Sequence, residues 1–120
     1  MFSIRDRYKS FGYAFAGIYV LISSQHNAWI HVFMSVMVIV AGFLFQVTAI
    51  EWIMLIFAIV IVFIAEAMNT AIELLCDFVS PDRQELIRKT KDVAAGAVLL
   101  AAMGAASIGL IIFLPYFCTF

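Results

Sequence analysis

The segment Trp52–Ile64, WIMLIFAIVIVFI, runs through Ala65 directly into Glu66–Glu73, EAMNTAIE. An uninterrupted apolar stretch of this kind is typical of a helix that crosses a membrane. At a helical step of about 100° per residue, one face near the end of this helix carries four polar side chains: Glu66, Asn69, Glu73 and Asp77. Ionisable groups at such a depth are rare unless they face a partner, a cavity or a metal. We therefore interpret this face, called the acidic stripe below, as the working site.

The composition is that of a membrane protein. Of the 120 residues, 66% are hydrophobic and only 12% are charged, whereas soluble domains average about 45–50% and about 25%. The length allows one small domain, and the net charge of −1 argues against a nucleic-acid partner. Three helices cannot shield a polar site from lipid, so we expect protomers to share its walls in a homo-oligomer.

The basic residues predict the orientation of the chain in the membrane. All seven Lys and Arg residues lie in two groups, which are Arg5, Arg7 and Lys9, and then Arg83, Arg88, Lys89 and Lys91. The positive-inside rule places both groups, and with them the N-terminus, in the cytoplasm. Cys76 and Cys118 then lie toward opposite sides of the membrane, so we expect no disulfide between them within one chain.

These patterns predict an all-α membrane protein in which an N-terminal amphipathic surface helix precedes three membrane-spanning helices. The surface helix is expected at residues 1–24, where apolar residues recur at helical spacing behind a basic start. The spans are expected at 28–47, 52–79 and 93–115, all within a single membrane domain.

Two shorter stretches need their own interpretation. Residues 81–92 follow the helix-stopping pair Ser80-Pro81 and are expected as a solvated cytoplasmic loop or a short separate helix. His31 falls one turn inside the first span. A lone histidine there is more often a hydrogen-bonded structural residue than a ligand, and we interpret it in that way.

The acidic stripe has the chemistry of a hard-cation site. Carboxylates and an amide suit Mg²⁺, which proteins usually bind together with substrate phosphates. Glu66 is deepest in the membrane and can reach a lipid hydroxyl, whereas Glu73 lies nearer the water and suits metal and nucleotide. Lys91-Asp92, at the start of the third span, offers a cation for phosphate oxygens. Phosphoryl transfer needs such positioning, charge neutralisation and a base.

Two other interpretations fit the same residues. In an ordinary helical bundle, the acids of the stripe would pair with Arg83, Arg88 or Lys89 and would have no chemical role. In a small oligomeric cation channel or transporter, Glu66 and Glu73 would line the ion path. Such a path predicts acids spread across the depth of the membrane, whereas here they cluster toward one interface.

Two motifs at this separation resemble the prokaryotic diacylglycerol kinase/undecaprenol kinase family. They are Glu66–Glu73 followed by Asp77, and Lys91–Val98, KDVAAGAV. The resemblance extends from about Lys9 to Pro115. Three shorter stretches look more like the undecaprenol kinase branch that is usual in Gram-positive bacteria: Val79–Pro81, Ala95–Val98 and Ile112–Pro115.

The resemblance implies a homotrimeric enzyme of the bacterial cytoplasmic membrane that uses MgATP to phosphorylate diacylglycerol or undecaprenol. By the same similarity, Glu66 is the general base, Glu73 a metal ligand and Asn69 a support for the site. The residues implied to hold the nucleotide, besides Asn69, are Tyr13, Asp82, Arg83, Gln84, Lys91 and Asp92. Active sites in the family are composite, because surface-helix and first-span residues of one protomer meet the second span of another.

One departure from the family pattern concerns the expected metal site. Gln25 stands where the family usually has a second metal-binding glutamate. Its side-chain carbonyl oxygen can still act as a ligand, but without a charge it is expected to bind Mg²⁺ more weakly.

Overall fold

The computed structural model describes residues 3–82 and 84–119, which form four α-helices joined by short connections. The helices are α1 (Ile4–Ser24), α2 (His26–Phe45), α3 (Ala49–Val79) and α4 (Glu85–Cys118). Three of them, α2 to α4, are long and apolar enough to cross a membrane. The predicted all-α membrane fold with three spans is thereby confirmed. The helix α1 precedes the spans as expected, and its placement in the membrane interface stays a prediction.

The first two spans begin earlier than the apolar runs alone predicted, at His26 instead of 28 and at Ala49 instead of 52. Gln25 has an extended backbone and separates α1 from α2 by a single residue. Thr48 begins α3 with a capping box, in which the Thr48 hydroxyl accepts from the Glu51 amide at 3.2 Å and the Glu51 carboxylate accepts from the Thr48 amide at 2.9 Å. The helix therefore begins before the apolar run and includes Glu51 in its first turn.

The third span differs most from expectation, because α4 is one continuous helix that includes residues 85–92. Within α4, Arg88 pairs with Glu85 and Asp92 at the spacings that stabilise a helix surface, and this stretch contains no proline or glycine. The helix also passes Pro115, its expected end, and stops at Cys118. With 34 residues, α4 is about 51 Å long and exceeds the ~30 Å hydrocarbon layer.

The packing of α3 against α4 is the main contact between helices, and α2 and α1 contact α3 less extensively. At the end opposite the acidic stripe, the buried residues Val47, Leu55 and Ile112 form an apolar cluster. The Tyr116 hydroxyl donates to the Glu51 carboxylate beside this cluster and joins the last turn of α4 to the first turn of α3. These contacts set the relative position of the two helices that carry the site.

Candidate active site

The helix α3 positions the four polar side chains of the acidic stripe, and their burial decreases along it. Glu66 is 1% exposed and Asn69 is 8% exposed. Glu73 is half-buried, and Asp77 is exposed. The stripe therefore leads from a buried carboxylate to one that meets solvent.

Glu66 has two carboxylate oxygens in different surroundings. Its Oε1 lies 3.1 Å from Nε2 of His31 on α2. Its Oε2 is buried and has no hydrogen-bond partner among the residues that the structure describes. A buried carboxylate oxygen without a partner is costly, so Oε2 marks a position where a further donor is expected.

His31 makes the hydrogen bond expected of it, but sequence reasoning did not identify its partner. The partner lies 35 residues away on another helix, and no spacing rule connects two such positions. The isolated histidine inside an apolar span was the available signal.

Asn69 and Glu73 continue the row of side-chain oxygens for two helical turns beyond Glu66. Nδ2 of Asn69 donates to Oε1 of Glu73 at 3.3 Å, and Oδ1 of Asn69 is buried without a partner in the described chain. This oxygen chemistry fits Mg²⁺. The described residues hold no cluster of three or more His, Cys, Asp or Glu side chains placed around one metal position. Side chains of the described residues therefore do not form a complete metal site by themselves.

Lys91 of α4 contacts the last carboxylate of the acidic stripe, because its Nζ donates to Oδ1 of Asp77 on α3 at 2.7 Å.

Arg88 instead pairs with Glu85 and Asp92 of its own helix, α4. The bundle interpretation, in which Arg88 neutralises the stripe, is therefore wrong for this residue. Arg83 lies outside the described residues.

A polar hollow of about 580 Å³ lies where α3 gives way to α4. Four of the residues implied to hold the nucleotide line it, which are Asp82, Gln84, Lys91 and Asp92. Arg88 lines it as well and adds a second cationic side chain. These four residues come from the two ends of the stretch 81–92 that was expected as a loop, and the start of α4 brings them together.

An apolar groove of about 660 Å³ runs between α2, α3 and α4. Its walls are mostly aliphatic and aromatic, and they include Val62, one turn before Glu66, and the ring of His31. Sequence reasoning did not predict this groove, because it depends on the angles between three helices. Its lining suits a hydrocarbon chain.

Two residues implied by the resemblance lie apart from these features. Tyr13 is 73% exposed on α1, and its hydroxyl makes no hydrogen bond to any residue that the structure describes. Gln25 is half-buried at the break between α1 and α2. Within the described chain the structure shows no hydrogen bond between Gln25 and Glu73, so a shared metal site stays a prediction.

The fold and the site define an integral membrane protein with a buried carboxylate near an apolar groove. It also has a polar hollow at the junction of α3 and α4. The family described as prokaryotic diacylglycerol kinase matches residues 12–113, and the chain belongs to this family. It is accordingly a membrane lipid kinase. Its relatives give no support to the channel interpretation.

Two relatives illustrate the similarity. The chain is 37% identical over 108 residues to the undecaprenol kinase of Bacillus subtilis (strain 168), and the match covers 90% of this chain and 88% of that protein. It is 42% identical over 107 residues to a diacylglycerol kinase of Synechocystis sp. (strain ATCC 27184 / PCC 6803 / Kazusa). That match covers 88% of this chain but 61% of the relative, so the chain spans about three fifths of the Synechocystis protein.

Proposed function

We propose that this protein transfers the γ-phosphate of MgATP to the hydroxyl group of a membrane lipid alcohol, undecaprenol or diacylglycerol. The observation that carries the proposal is Glu66, which is 1% exposed and has one carboxylate oxygen without a partner in the described chain. The apolar groove is lined by His31 and Val62 near Glu66, and the polar hollow lies beyond the end of α3, between it and α4. A lipid hydroxyl and a nucleotide can therefore approach the same stripe from different sides.

The chemistry assigned to Glu66 is general-base catalysis. As the lipid oxygen forms its bond to the γ-phosphorus, the hydroxyl proton passes to Oε2 of Glu66. The bond between the γ-phosphorus and the bridging oxygen breaks, and ADP leaves with that electron pair. Little other covalent chemistry is required, so positioning and charge neutralisation account for most of the remaining catalysis.

The polar hollow is assigned to the nucleotide. Lys91 would contact phosphate oxygens, and Asp92 would accept hydrogen bonds from the nucleotide. In the structure, Lys91 pairs with Asp77, and their side chains are 38% and 64% exposed. An ion pair this exposed contributes little free energy, so Lys91 can exchange Asp77 for a phosphate at small cost.

Glu73, Asn69 and, more weakly, Gln25 are the residues proposed to hold Mg²⁺. Bound there, the ion would neutralise charge on the phosphates. The half-buried position of Glu73 and the unpartnered Oδ1 of Asn69 support this assignment. The hydrogen bond between these two residues keeps the amide oxygen free to act as a ligand.

We infer a homotrimer in the bacterial cytoplasmic membrane, with the N-terminus in the cytoplasm. In the most apolar 18-residue stretch of each of the helices α2, α3 and α4, only 11%, 22% and 6% of the residues, respectively, are buried within the protomer. One protomer thus exposes enough apolar helix surface for partner chains. The contact between His31 and Glu66 is made within one chain. In an active site shared between protomers, the partner chain would therefore contribute other residues, such as Tyr13.

The proposal is tested by transfer of labelled phosphate from ATP to diacylglycerol, to undecaprenol and to no lipid, run side by side in detergent micelles. The wild-type protein should label at least one lipid. Glu66→Gln should lower turnover by about 100-fold or more, because general bases contribute on the order of 10²–10⁴. Glu51→Gln is the matched control, since Glu51 lies at the opposite end of α3 and glutamine keeps the side-chain oxygen that accepts from Thr48 and Tyr116.

Three results would contradict the proposal. Labelling of neither lipid by the wild-type protein would refute lipid kinase activity. Near-normal turnover of the Glu66 variant would show that Glu66 is not the base. Cation flux in liposomes without ATP would favour the transport interpretation.

A further inference from the structure

We propose that His31 is a positioning residue for catalysis, which holds Oε1 of Glu66 so that Oε2 faces the lipid hydroxyl. The inference rests on the proposed role of Glu66 as base and adds a residue that acts through it. His31 would not contact the reacting atoms.

The two oxygens of Glu66 provide the first support. Nε2 of His31 lies 3.1 Å from Oε1, while Oε2 has no partner among the described residues. The side chains are 20% and 1% exposed, so bulk water has little access to the pair. A carboxylate held by one oxygen has a defined orientation, and its other oxygen remains available to accept a proton.

The imidazole ring is itself held in place. It packs edge-on against Phe63, with ring centroids 6.4 Å apart and planes inclined by 74°. Phe63 precedes Glu66 by one helical turn on α3, so the same helix carries both contacts of the ring. Edge-to-face pairs of this kind are favourable, and rotation of the ring would disrupt this contact together with the hydrogen bond.

A purely structural link between α2 and α3 explains these observations less well. A buried polar pair that serves stability is expected to have its hydrogen-bonding groups satisfied, yet Oε2 is not. His31 also lines the apolar groove, so the pair lies at the wall along which a lipid chain would lie. The free oxygen and the groove together indicate a role toward the substrate.

The kinetic test compares His31→Leu with His31→Gln. We expect the leucine variant to lower kcat about 10- to 100-fold, as misplacement of a catalytic group by about 1 Å does, with the KM for ATP changed less than about twofold. The glutamine variant keeps an N–H donor and should recover to within about fivefold of wild type. His26→Leu and His26→Gln are matched controls, because His26 is exposed at the start of α2; both should retain wild-type kcat.

A spectroscopic test does not depend on the stability of the leucine variant. The chain contains two histidines, so ¹⁵N-labelled histidine gives two sets of ring-nitrogen signals. Glu66→Gln should shift the set that disappears in His31→Gln and leave the His26 set unchanged. A structural role elsewhere on α2 would not couple these signals to Glu66.

The outcomes separate this inference from the proposed function. Wild-type kcat in assembled His31→Leu, equal losses in both His31 variants, or His31 signals that ignore Glu66→Gln would each overturn the positioning role. Absence of phosphate transfer by the wild-type protein, or full turnover of Glu66→Gln, would instead refute the proposed function, whatever the ring signals show.

Discussion

Burial separates the three carboxylates of the acidic stripe, although they lie on one face of one helix. Glu66 is enclosed and contacts His31, Glu73 is half-buried beside Asn69, and Asp77 is exposed and paired with Lys91. These environments suit, in turn, a base shielded from water, a metal ligand at the boundary and a solvated partner for a cation. Their order along α3 supports the order of roles that we propose.

Gln25 provides a test of the metal assignment at the scale of one residue. Gln25→Glu should lower the Mg²⁺ concentration required for half-maximal activity by roughly threefold or more, because an added charge strengthens a hard-cation site. The measurement is a Mg²⁺ titration of lipid phosphorylation at saturating ATP. Asn27→Glu adds the same charge nearby and should leave the requirement unchanged; an unaltered requirement in the Gln25 variant would place Gln25 away from the metal.

Lys91 provides a separate test of the nucleotide assignment. Lys91→Met should reduce kcat/KM for ATP about 10- to 100-fold, since a charge-assisted hydrogen bond to phosphate is worth about 1.5–3 kcal/mol. Lys89→Met removes an exposed charge of the same helix and serves as the control. Equal kinetics in the two variants would mean that Lys91 serves only its ion pair with Asp77.

At the scale of helices, the sequence predicted which elements exist better than where they end. Long apolar runs identify the spans because the bilayer demands about 20 such residues whatever the packing. Reciprocal hydrogen bonds between Thr48 and Glu51 begin α3, and exposed pairs of Arg88 with Glu85 and Asp92 add modest support to the extension of α4. A polar stretch is compatible with both a loop and a helix until such pairs form.

The candidate site likewise combines residues that the sequence pattern relates with contacts that depend on how the helices pack. Glu66, Asn69 and Glu73 could be found from sequence because one helical period relates them. The contact of His31 with Glu66, the apolar groove and the polar hollow could not be found, because they depend on how separate helices pack.

The contact between α2 and α3 gives a prediction of stability. A Cβ atom at Gly42 would lie 2.5 Å from the Trp52 ring, so Gly42→Ala forces the ring or the helices apart. We expect a loss of about 1–3 kcal/mol, measured as a lower unfolding temperature in detergent. Gly104→Ala is the control, because a Cβ there meets nothing within 4 Å. Equal stability of the two variants would show that Trp52 repacks without cost.

At the scale of the whole molecule, the distribution of basic residues predicts the orientation of the chain in the membrane, and the two free cysteines provide a way to test it. Cys118 is exposed at the end of α4, whereas Cys76 is buried in α3. A membrane-impermeant maleimide applied to intact spheroplasts should label Cys118, and Cys118→Ser should abolish labelling. If Cys118 is labelled only after the cells have been permeabilised, the proposed orientation is wrong.

The length of α4 has a physical consequence for the enzyme in its membrane. Because Lys91 and the apolar span belong to one unbroken helix, a change in the tilt of the span also displaces the ammonium group relative to α3. Membrane-spanning helices adjust their tilt to the thickness of the bilayer. Turnover in vesicles should therefore pass through a maximum as the acyl chains of the host lipid are lengthened, and the thickness of the surrounding bilayer becomes a variable that sets the catalytic rate.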